Sequence, residues 1–582
     1  MQNQVLDPST GISRPIGNAH LRALFYSCVL LGLFSGSLLA HGGQFSGPQP
    51  GRPSNSPKPG SPRGGGGSTA GFDPSWRNWW DRNREEFFDV RARRAAKSKA
   101  GNDQGKYAKD SLHVPATRKD INETIVPLLL SALKDKNPDV RDAAAIAVGR
   151  AASVPALEHL IPLLGDSHKK VREAALLGMG LLKHAKAEQT IINHMKARNT
   201  SFRERGVAAI ALGLSGGDRA EEALSRKLGS VFPFVSIPRA KLKGVEGARA
   251  LGLGLSKREG HDSSLVNAYD KAKTKDRSFK PMVLSALTKL GGTNAAGLVS
   301  RALKDRDNDV RRSAAILAGR AFSSGDEKQV KRVLSAYRSE KDAHTRQFLL
   351  ISLGRLAHPL GVSALRKVMK TAKKREERAF AALALGIAND RESIRTMHKI
   401  LAKEKDQVLR GAVCVSIGIL GDKASGETLN KLLKATGNPV LRADLVTGLA
   451  MLDHQDSLPQ IRKVTGQARN SRLVRSCGLA LALLQDSTSL DQMINIMRNS
   501  GSVAVKGGMA TALGRAADRR VIARLVKIVK DRRETDLTRA FAVVSLGLIG
   551  DKSERSDFSR VSIDSNFGLL NAEAYKQVLD IF

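Results

Sequence analysis

Few of the chain's reactive side chains stand at the spacing that a catalytic or metal site needs. His168 directly follows Asp166 and Ser167, but three adjacent residues cannot converge as nucleophile, base and orienting acid. The histidines are scattered, without a His-Glu-x-x-His or Cys-x-x-Cys-His pattern, so they indicate neither a zinc hydrolase nor a c-type haem. Gly252-Leu-Gly254 lacks the third glycine of a dinucleotide-binding loop. We therefore expect a non-enzymatic protein with no catalytic residue, metal site or cofactor.

The chemistry that does stand out is positive charge. The 582-residue chain carries 95 Lys and Arg against 56 Asp and Glu, a formal net charge of +39. Such an excess favours polyanions or anionic surfaces as partners, through long-range attraction and counterion release. A basic but ordinary, well-solvated protein is the alternative. Aromatic residues make up only 4% of the chain, which argues against a large aromatic-lined pocket.

All three tryptophans of the chain stand together. Trp76, Trp79 and Trp80, with Phe87 and Phe88, recur at helical spacing and share one face of a predicted helix. One interpretation is an aromatic cap that covers the open end of whatever follows, and this is the one we favour. The other is a docking helix for a partner, since exposed Trp and Arg are frequent anchors at interfaces.

An internal repeat determines the elements that position these residues. Residues 135–150 recur closely as 166–180 and 305–319, and more loosely along the rest of the chain. One basic residue of the pattern recurs mostly every 31 to 33 residues, and a glycine usually stands eight places after it. The step from Arg205 to Lys280 is double and conceals one further unit, in which Gly244 replaces the basic residue. The chain therefore contains about 13 units.

Each unit has the pattern of two amphipathic helices. In the first unit, apolar residues follow one face over 125–133, residues 137–139 form a turn, and a second apolar face runs over 140–148. Such helix pairs bury their apolar faces only by stacking on one another. A glycine late in a helix costs ~1 kcal/mol relative to Ala, so its recurrence predicts a neighbouring helix too close for a side chain.

The repeated residues resemble a known family. Asp135 with Val140-Arg141, Asp166 with Val171-Arg172 and Asp305 with Val310-Arg311 are similar to the Asp and Val-Arg positions of HEAT repeats. The Ala-Leu-Gly ending resembles the short HEAT-like type of phycobilisome lyases. This resemblance covers residues 121–554 and implies an all-α, right-handed α-solenoid. In the family the Asp and Arg form ladders between neighbouring units, which implies a structural role, not a ligand-binding one, for a set of side chains here. They are Asp135, Arg141, Asp166, Arg172, Asp305 and Arg311.

Candidate partner-binding residues lie where the repeat pattern is interrupted. Basic residues follow the glycine position in some units only, as Arg150, Lys289, Arg320, Arg355 and Arg515. The longest insertion, residues 229–243, brings together two aromatic and three basic side chains: Phe232, Phe234, Arg239, Lys241 and Lys243. Insertions in repeat arrays become loops, often on the binding face. A loop folded over its own repeat is the alternative, and it is slightly preferred.

The amino terminus predicts export. Basic residues precede an apolar run over 23–34, and Ala40 is a small residue at the expected cleavage point. Cleavage is favoured, although Leu38 is larger than usual and an uncleaved anchor, the one route to a membrane, stays open. We thus divide the chain into a signal segment (1–40), a Gly/Pro/Ser-rich disordered spacer (41–75), a Trp-rich helix and basic linker (76–120), the array (121–554) and a C-terminal cap (555–582).

Two functions fit these observations. The leading hypothesis is a non-enzymatic scaffold, located in the periplasm, the cell envelope or the extracellular space, that binds a partner protein on the array surface. Its residues would be the tryptophans, the insertion and the irregular basic positions. The alternative is a protein that binds a polyanion, either nucleic acid or acidic polysaccharide, through its excess of positive charge. Fold analogy alone cannot decide between them.

Overall fold

Helices form almost all the regular structure of the chain. The computed structural model describes residues 75–88, 113–226, 239–272, 278–291, 294–551, 557–565 and 575–578. The predicted signal segment, most of the spacer, and Phe232 and Phe234 of the insertion lie outside these ranges. Within the described ranges no strand forms, and the sole bridge joins Pro115 to Asp518. None of the described helices is both long and apolar enough to span a membrane.

One helix, α1 (Trp76–Asn83), precedes the array and continues as a 3-10 turn over Arg84–Glu86. The first helices of the 13 units carry even numbers: α2 (Val126–Ala132), α4 (Leu157–Leu160), α6 (Ala185–Lys196), α8 (Asp218–Ser225), α10 (Asp262–Asp270), α12 (Asn294–Ala302), α14 (Glu327–Ser339), α16 (Pro359–Thr371), α18 (Ile394–Lys403), α20 (Gly426–Ala435), α22 (Leu458–Gln467), α24 (Leu490–Asn499) and α26 (Ile522–Lys530). A π-helical turn, Asp120–Ile125, leads into α2.

The second helices carry odd numbers and complete units 1 to 13 in order. They are α3 (Pro138–Ala151), α5 (Lys169–Leu182), α7 (Phe202–Ser215), α9 (Arg239–Ser256), α11 (Phe279–Leu290), α13 (Asn308–Ala321), α15 (Ala343–Leu356), α17 (Arg375–Ile387), α19 (Gln407–Leu420), α21 (Pro439–Met451), α23 (Ser471–Leu483), α25 (Val503–Ala516) and α27 (Asp536–Ile549). A last helix, α28 (Asp557–Ser562), follows the array. The predicted all-α array of about 13 two-helix units is confirmed.

Short polar residues fix where the second helices begin. The Asn137 side chain accepts a hydrogen bond from the backbone N–H of Asp139 (2.8 Å), and Pro138 occupies the first helical position. Asp307 and Asp406 cap α13 and α19 in the same way. A side-chain oxygen at this position satisfies an N–H that has no partner within the helix. The recurring Asn or Asp of the turn therefore sets the start of the helix that follows.

The second helices pack side by side, each against the next, and the recurring glycine makes this approach possible. A Cβ added at Gly149 would lie only 2.6 Å from the Cα of Gly178 in the neighbouring helix. At Gly354 it would lie 2.9 Å from the Cα of Ala384. These backbones touch, as the repetition of glycine predicts.

The same contact joins the last unit to the first. Helix α27 packs on α3, and a Cβ added at Gly547 would lie 2.7 Å from the Cα of Ala147. The carboxylate of Asp135 in unit 1 accepts hydrogen bonds from Arg539 and, at 2.9 Å, from Arg532. Each of the 13 second helices thus has a neighbour on both sides, and the array is closed. A closed array has no open end, so the interpretation of the tryptophan segment as an end cap is wrong.

We predict that Gly149→Ala destabilises the array. The added methyl group would overlap the backbone of Gly178, and such overpacking costs ~1–3 kcal/mol. The matched control is Gly297→Ala in α12, where a Cβ meets no atom within 4 Å; it should be neutral or stabilising, because Ala favours helix. Thermal unfolding of both variants tests this. A Gly149→Ala midpoint at or above that of Gly297→Ala would contradict the close approach.

We also predict that Asp135→Ala loosens both ends of the repeat sequence at once. Asp135 and Arg539 expose only 5% and 3% of their side chains, and removing one partner of a buried pair costs ~3–5 kcal/mol. Hydrogen–deuterium exchange should rise in α3 and α27 together. Asp305→Ala, which removes an ordinary step to Lys280, should raise exchange around units 5 and 6 instead. Unchanged exchange in α27 of Asp135→Ala would argue against closure.

Candidate functional site at the centre of the closed array

Helix α1 and the turn after it form one aromatic cluster. Trp76, Trp79 and Trp80 expose at most 2% of their surfaces. The Trp80 ring stacks on Phe87, with 5.4 Å between centroids, and meets Phe88 edge-on at 5.6 Å. We call residues 75–88 the inner segment. Its aromatic face is covered, so the helix predicted from the spacing is present but is not exposed to solvent.

The amino end of the inner segment is bonded to three second helices. The backbone N–H of Trp76 donates to Glu376 in α17 (3.2 Å), and the Trp76 indole Nε1 donates to the carbonyl of Val408 in α19 (3.1 Å). Arg77 donates to the Asp444 carboxylate in α21 at 2.7 Å and to the carbonyl of Gln407 at 2.9 Å. Main-chain carbonyls and buried carboxylates thus fix the position of this end.

The middle of the inner segment carries a half-buried carboxylate, Asp81. Arg472 in α23 donates to it at 2.8 Å. Burial alone would raise the pKa of Asp81, but the guanidinium groups of Arg472 and Arg84 outweigh burial and hold that pKa below its ordinary value. Asp81 is therefore ionised and paired inside the protein.

The carboxyl end of the inner segment binds arginines that follow the repeat's glycine. Glu86 accepts hydrogen bonds from Arg320 in α13 and from Arg355 in α15, the latter at 3.1 Å. Glu85 pairs with Arg515 in α25. The irregular basic positions of units 6, 7 and 12 therefore converge on two adjacent glutamates.

The contacts of this short helix locate it inside the curve of the array. The inner segment bonds to second helices of every unit from 6 to 12. Eight helical residues span only ~12 Å, whereas seven helices packed side by side at 8–10 Å would extend over roughly 50 Å if flat. One short helix can reach all of them only if they curve around it. The second helices thus form the inner layer of the array and the first helices its outer layer.

A piece of the carboxyl-terminal region lies against the inner segment. The Asp564 carboxylate accepts from Arg320 at 2.8 Å and pairs with Arg355 at 2.5 Å, while the Asp564 N–H donates to Asn83 at 2.9 Å. Lys289 donates to the carbonyl of Arg560 at 3.0 Å. Residues 557–565, predicted as part of a C-terminal cap, are thus part of the same central cluster.

The structure places the other candidate residues as follows. Arg150 is buried in α3. Arg239, Lys241 and Lys243 stand in the first turns of α9, and the rest of the insertion lies outside the described residues. The tryptophans, Arg320, Arg355 and Arg515 come together on the inner surface.

The ladder runs between neighbouring units in a fixed direction. Arg141 donates to the Asp166 carboxylate of unit 2 at 2.8 Å, and to the carbonyl of Asp135 within its own unit at 2.8 Å. Arg172 donates to Glu204 and Arg311 to Glu340, each in the following unit. The carboxylate of a unit therefore serves the basic residue of the unit before it. The acidic residue of the same turn holds its own Arg only through its backbone carbonyl.

Several residues of the central cluster were not anticipated. They are Asp81, Glu85, Glu86, Asp444, Arg472 and Asp564. One signal was available for three of them, because three carboxylates within six positions are unusual next to a basic linker in so basic a chain. Nothing in the local sequence marks Asp444 or Asp564.

Comparison with known proteins is consistent with the repeat. A family model described as HEAT repeats matches residues 116–175, 295–386, 330–418 and 362–450. The search of curated proteins gave no match.

Solved helical-repeat structures show weak likenesses. The complex of CpcE and CpcF of phycocyanin lyase from Nostoc is 19% identical and covers 42% of this chain and 94% of that one, with a TM-score of 0.29. Importin beta is 12% identical over 74% and 70% of the two chains, with a TM-score of 0.32. Human deoxyhypusine hydroxylase is 16% identical over 52% and 96%, with a TM-score of 0.22.

We predict that charge reversal at Glu85 and Glu86 releases the inner segment. The double change to Lys places two cations against Arg320, Arg355 and Arg515 in a partly buried site, where like charges repel. All three tryptophans of the protein are in this segment, so their emission should shift to longer wavelength and become more accessible to acrylamide. The control, Glu123→Lys with Glu427→Lys, makes the same charge change at exposed sites. Emission unchanged in both variants would contradict this assignment.

Proposed function

We propose that this chain, which carries an array of HEAT repeats, is an exported, non-enzymatic scaffold that binds a partner protein on its inner surface. In the resting protein the inner segment occupies that surface. A partner would bind there through a helix that resembles the inner segment, with large aromatic side chains on one face and carboxylates at its carboxyl end.

The observation that carries this proposal is that the array already binds a polypeptide segment from outside the repeats. It does so with features common at protein interfaces. Trp76 is buried with its indole N–H bonded to the carbonyl of Val408, and Arg77 pairs with Asp444. Trp and Arg are the residue types that most often dominate binding energy. Stacked repeats use extended curved surfaces of this kind for partners.

Charge sets the preferred chemistry of a partner. With the inner segment displaced, Arg320, Arg355 and Arg515 would face the interior without the carboxylates of Glu85 and Glu86. Burying unpaired cations is costly, so an incoming segment must supply carboxylates. A neutral or basic helix would leave Arg320 and Arg355 to share the single carboxylate of Asp564.

Export and the absence of catalysis are parts of the proposal that rest on the sequence. The basic residues, apolar run and small residue of 1–40 support export. The lack of spaced catalytic or metal-binding patterns supports a binding role.

We predict that weakening the inner segment increases partner capture. In the triple variant Asp81→Asn, Glu85→Gln and Glu86→Gln, the inner segment loses three carboxylates. It should therefore compete less well with a partner for the inner surface. Full-length tagged protein, cross-linked in the cells that produce it and purified from the envelope and medium in mild salt, should recover several-fold more of a specific partner than wild type. Adding Arg320→Glu and Arg355→Glu should abolish this gain.

The control for this experiment removes three exposed carboxylates instead: Glu123→Gln, Glu259→Gln and Glu427→Gln. It should capture the same amount as wild type. Equal capture by all variants, or no cross-linked protein from any of them, would overturn the proposal.

A further inference from the structure

One edge of the array is strongly basic. This edge carries the turns that join the first and second helices within each unit. In units 6 to 11, exposed Lys and Arg recur at every one of these turns. They are Lys304, Arg306, Arg338, Lys341, Lys370, Lys373, Lys374, Lys403, Lys405, Lys434 and Arg469. We call this set the basic edge.

The carboxylates near the basic edge are bound elsewhere. Glu340 accepts from Arg311, Glu377 from Arg346 and Glu404 from Arg378, which are steps of the ladder. Asp342 and Asp406 cap the second helices that follow them. The acids at these turns hold units together or start helices. The lysines beside them consequently form no ion pair within the described part of the chain.

A cavity opens on the basic edge between units 7 and 8. It measures about 660 Å³ and lies between α14 and α16. Lys341, Lys367, Lys373 and Lys374 line it, together with the apolar side chains of Leu334 and Val368. All four lysines are exposed. The site combines several exposed positive charges with an apolar wall.

Tyr337 gives this cavity a rigid floor. Its hydroxyl donates to Glu377 at 3.0 Å, and the Arg346 guanidinium lies over its ring at 4.2 Å. Arg346 in turn pairs with Glu377. These three side chains hold one another, so the floor is preformed and the lysines at the rim remain available to a ligand.

We propose that the basic edge binds an acidic polysaccharide and that the cavity between α14 and α16 holds one of its charged sugars. Neighbouring helices pack at ~8–10 Å, so the cations recur at a regular interval along the edge, as the charges of such a polymer do. An apolar wall beside lysines suits the apolar face of a sugar ring next to its carboxylate or sulfate.

Nucleic acid fits the basic edge less well. Single strands are bound by successive aromatic side chains on which bases stack. In the described residues of units 6 to 11, Tyr337 is the aromatic side chain at this edge, and Arg346 covers its ring. Lysines dominate the edge and act as point charges, without the bidentate geometry with which arginine recognises phosphate and guanine. The binding test must therefore compare nucleic acid with acidic polysaccharide.

Polysaccharide binding would take place in the same exported location as the proposed partner binding, but on a different surface of the array. The full chain is titrated with fluorescently labelled polygalacturonate, with heparin and with a DNA duplex of similar length, at several salt concentrations. We expect both polysaccharides to bind more tightly than DNA, with log affinity falling linearly with log salt.

Lys373→Glu with Lys374→Glu should weaken polysaccharide binding by about tenfold or more, because two contacts become repulsive. The matched control, Lys328→Glu with Lys423→Glu, makes the same change of net charge at exposed positions on the opposite edge and should retain most of the affinity.

Ala364→Phe fills the cavity without altering charge. It should weaken binding of short oligosaccharides more than that of long polymer.

Three results would overturn the inference: DNA binding as tight as polysaccharide binding, equal losses in the two charge-reversal variants, or binding that ignores salt. Tryptophan emission and partner capture report on the inner surface and should be unchanged in Lys373→Glu, Lys374→Glu. Failure here is thus separable from failure of the proposed function.

Discussion

The contact between unit 13 and unit 1 is the constraint on which the rest of the molecule depends. It repeats the chemistry of the steps between units 1 and 2 and between units 6 and 7, with a helix backbone against a glycine and an arginine on the carboxylate of the next unit. Because each acid serves the unit before it, Asp135 of unit 1 would have no arginine partner in an open array and would keep only the N–H of Asn137. Arg539 supplies that partner only when the array has closed. This step of the ladder therefore forms only in the closed array.

Closure also creates an interior whose positive charges must be neutralised. The second helices direct Arg320, Arg355 and Lys289 inward, where Arg355 exposes 6% of its side chain and Arg320 exposes 35%. Burial lowers the pKa of Lys289 to about 8, even though Asp564 raises it. Arg355 and Arg320 hold the pKa of the Asp564 carboxyl below its ordinary value against the opposing effect of burial. Residues outside the repeats thus supply the negative charge that the inner layer lacks, which explains why such a basic chain can enclose its own cations.

The sequence was informative wherever a local pattern repeats. The period, the two helices per unit and the close approach at Gly149 and Gly354 all follow from residues within about 35 positions of each other. Closure does not, because unit 13 meets unit 1 through the same residue types that join any two neighbours. One sign of closure was available in the sequence. Terminal repeats of an open array usually present a polar outer face. Ala147 and Ala151 in unit 1 are instead small and apolar, as expected for an interior unit. The position of the inner segment was beyond reach, because Trp76 meets Val408 across 332 residues.

Closure also fixes how many repeats the protein can have. Thirteen units that complete a circle turn by about 28° each, and Gly547 meets Ala147 only at that total. A linear array can gain or lose a unit at its end and keep every other interface. Here, a duplicated or deleted unit would change the angle at all thirteen joints, or else separate α27 from α3 and leave Asp135 unpaired. Closure therefore makes the number of repeats a fixed dimension of the structure, much as strand number is in a closed β-barrel.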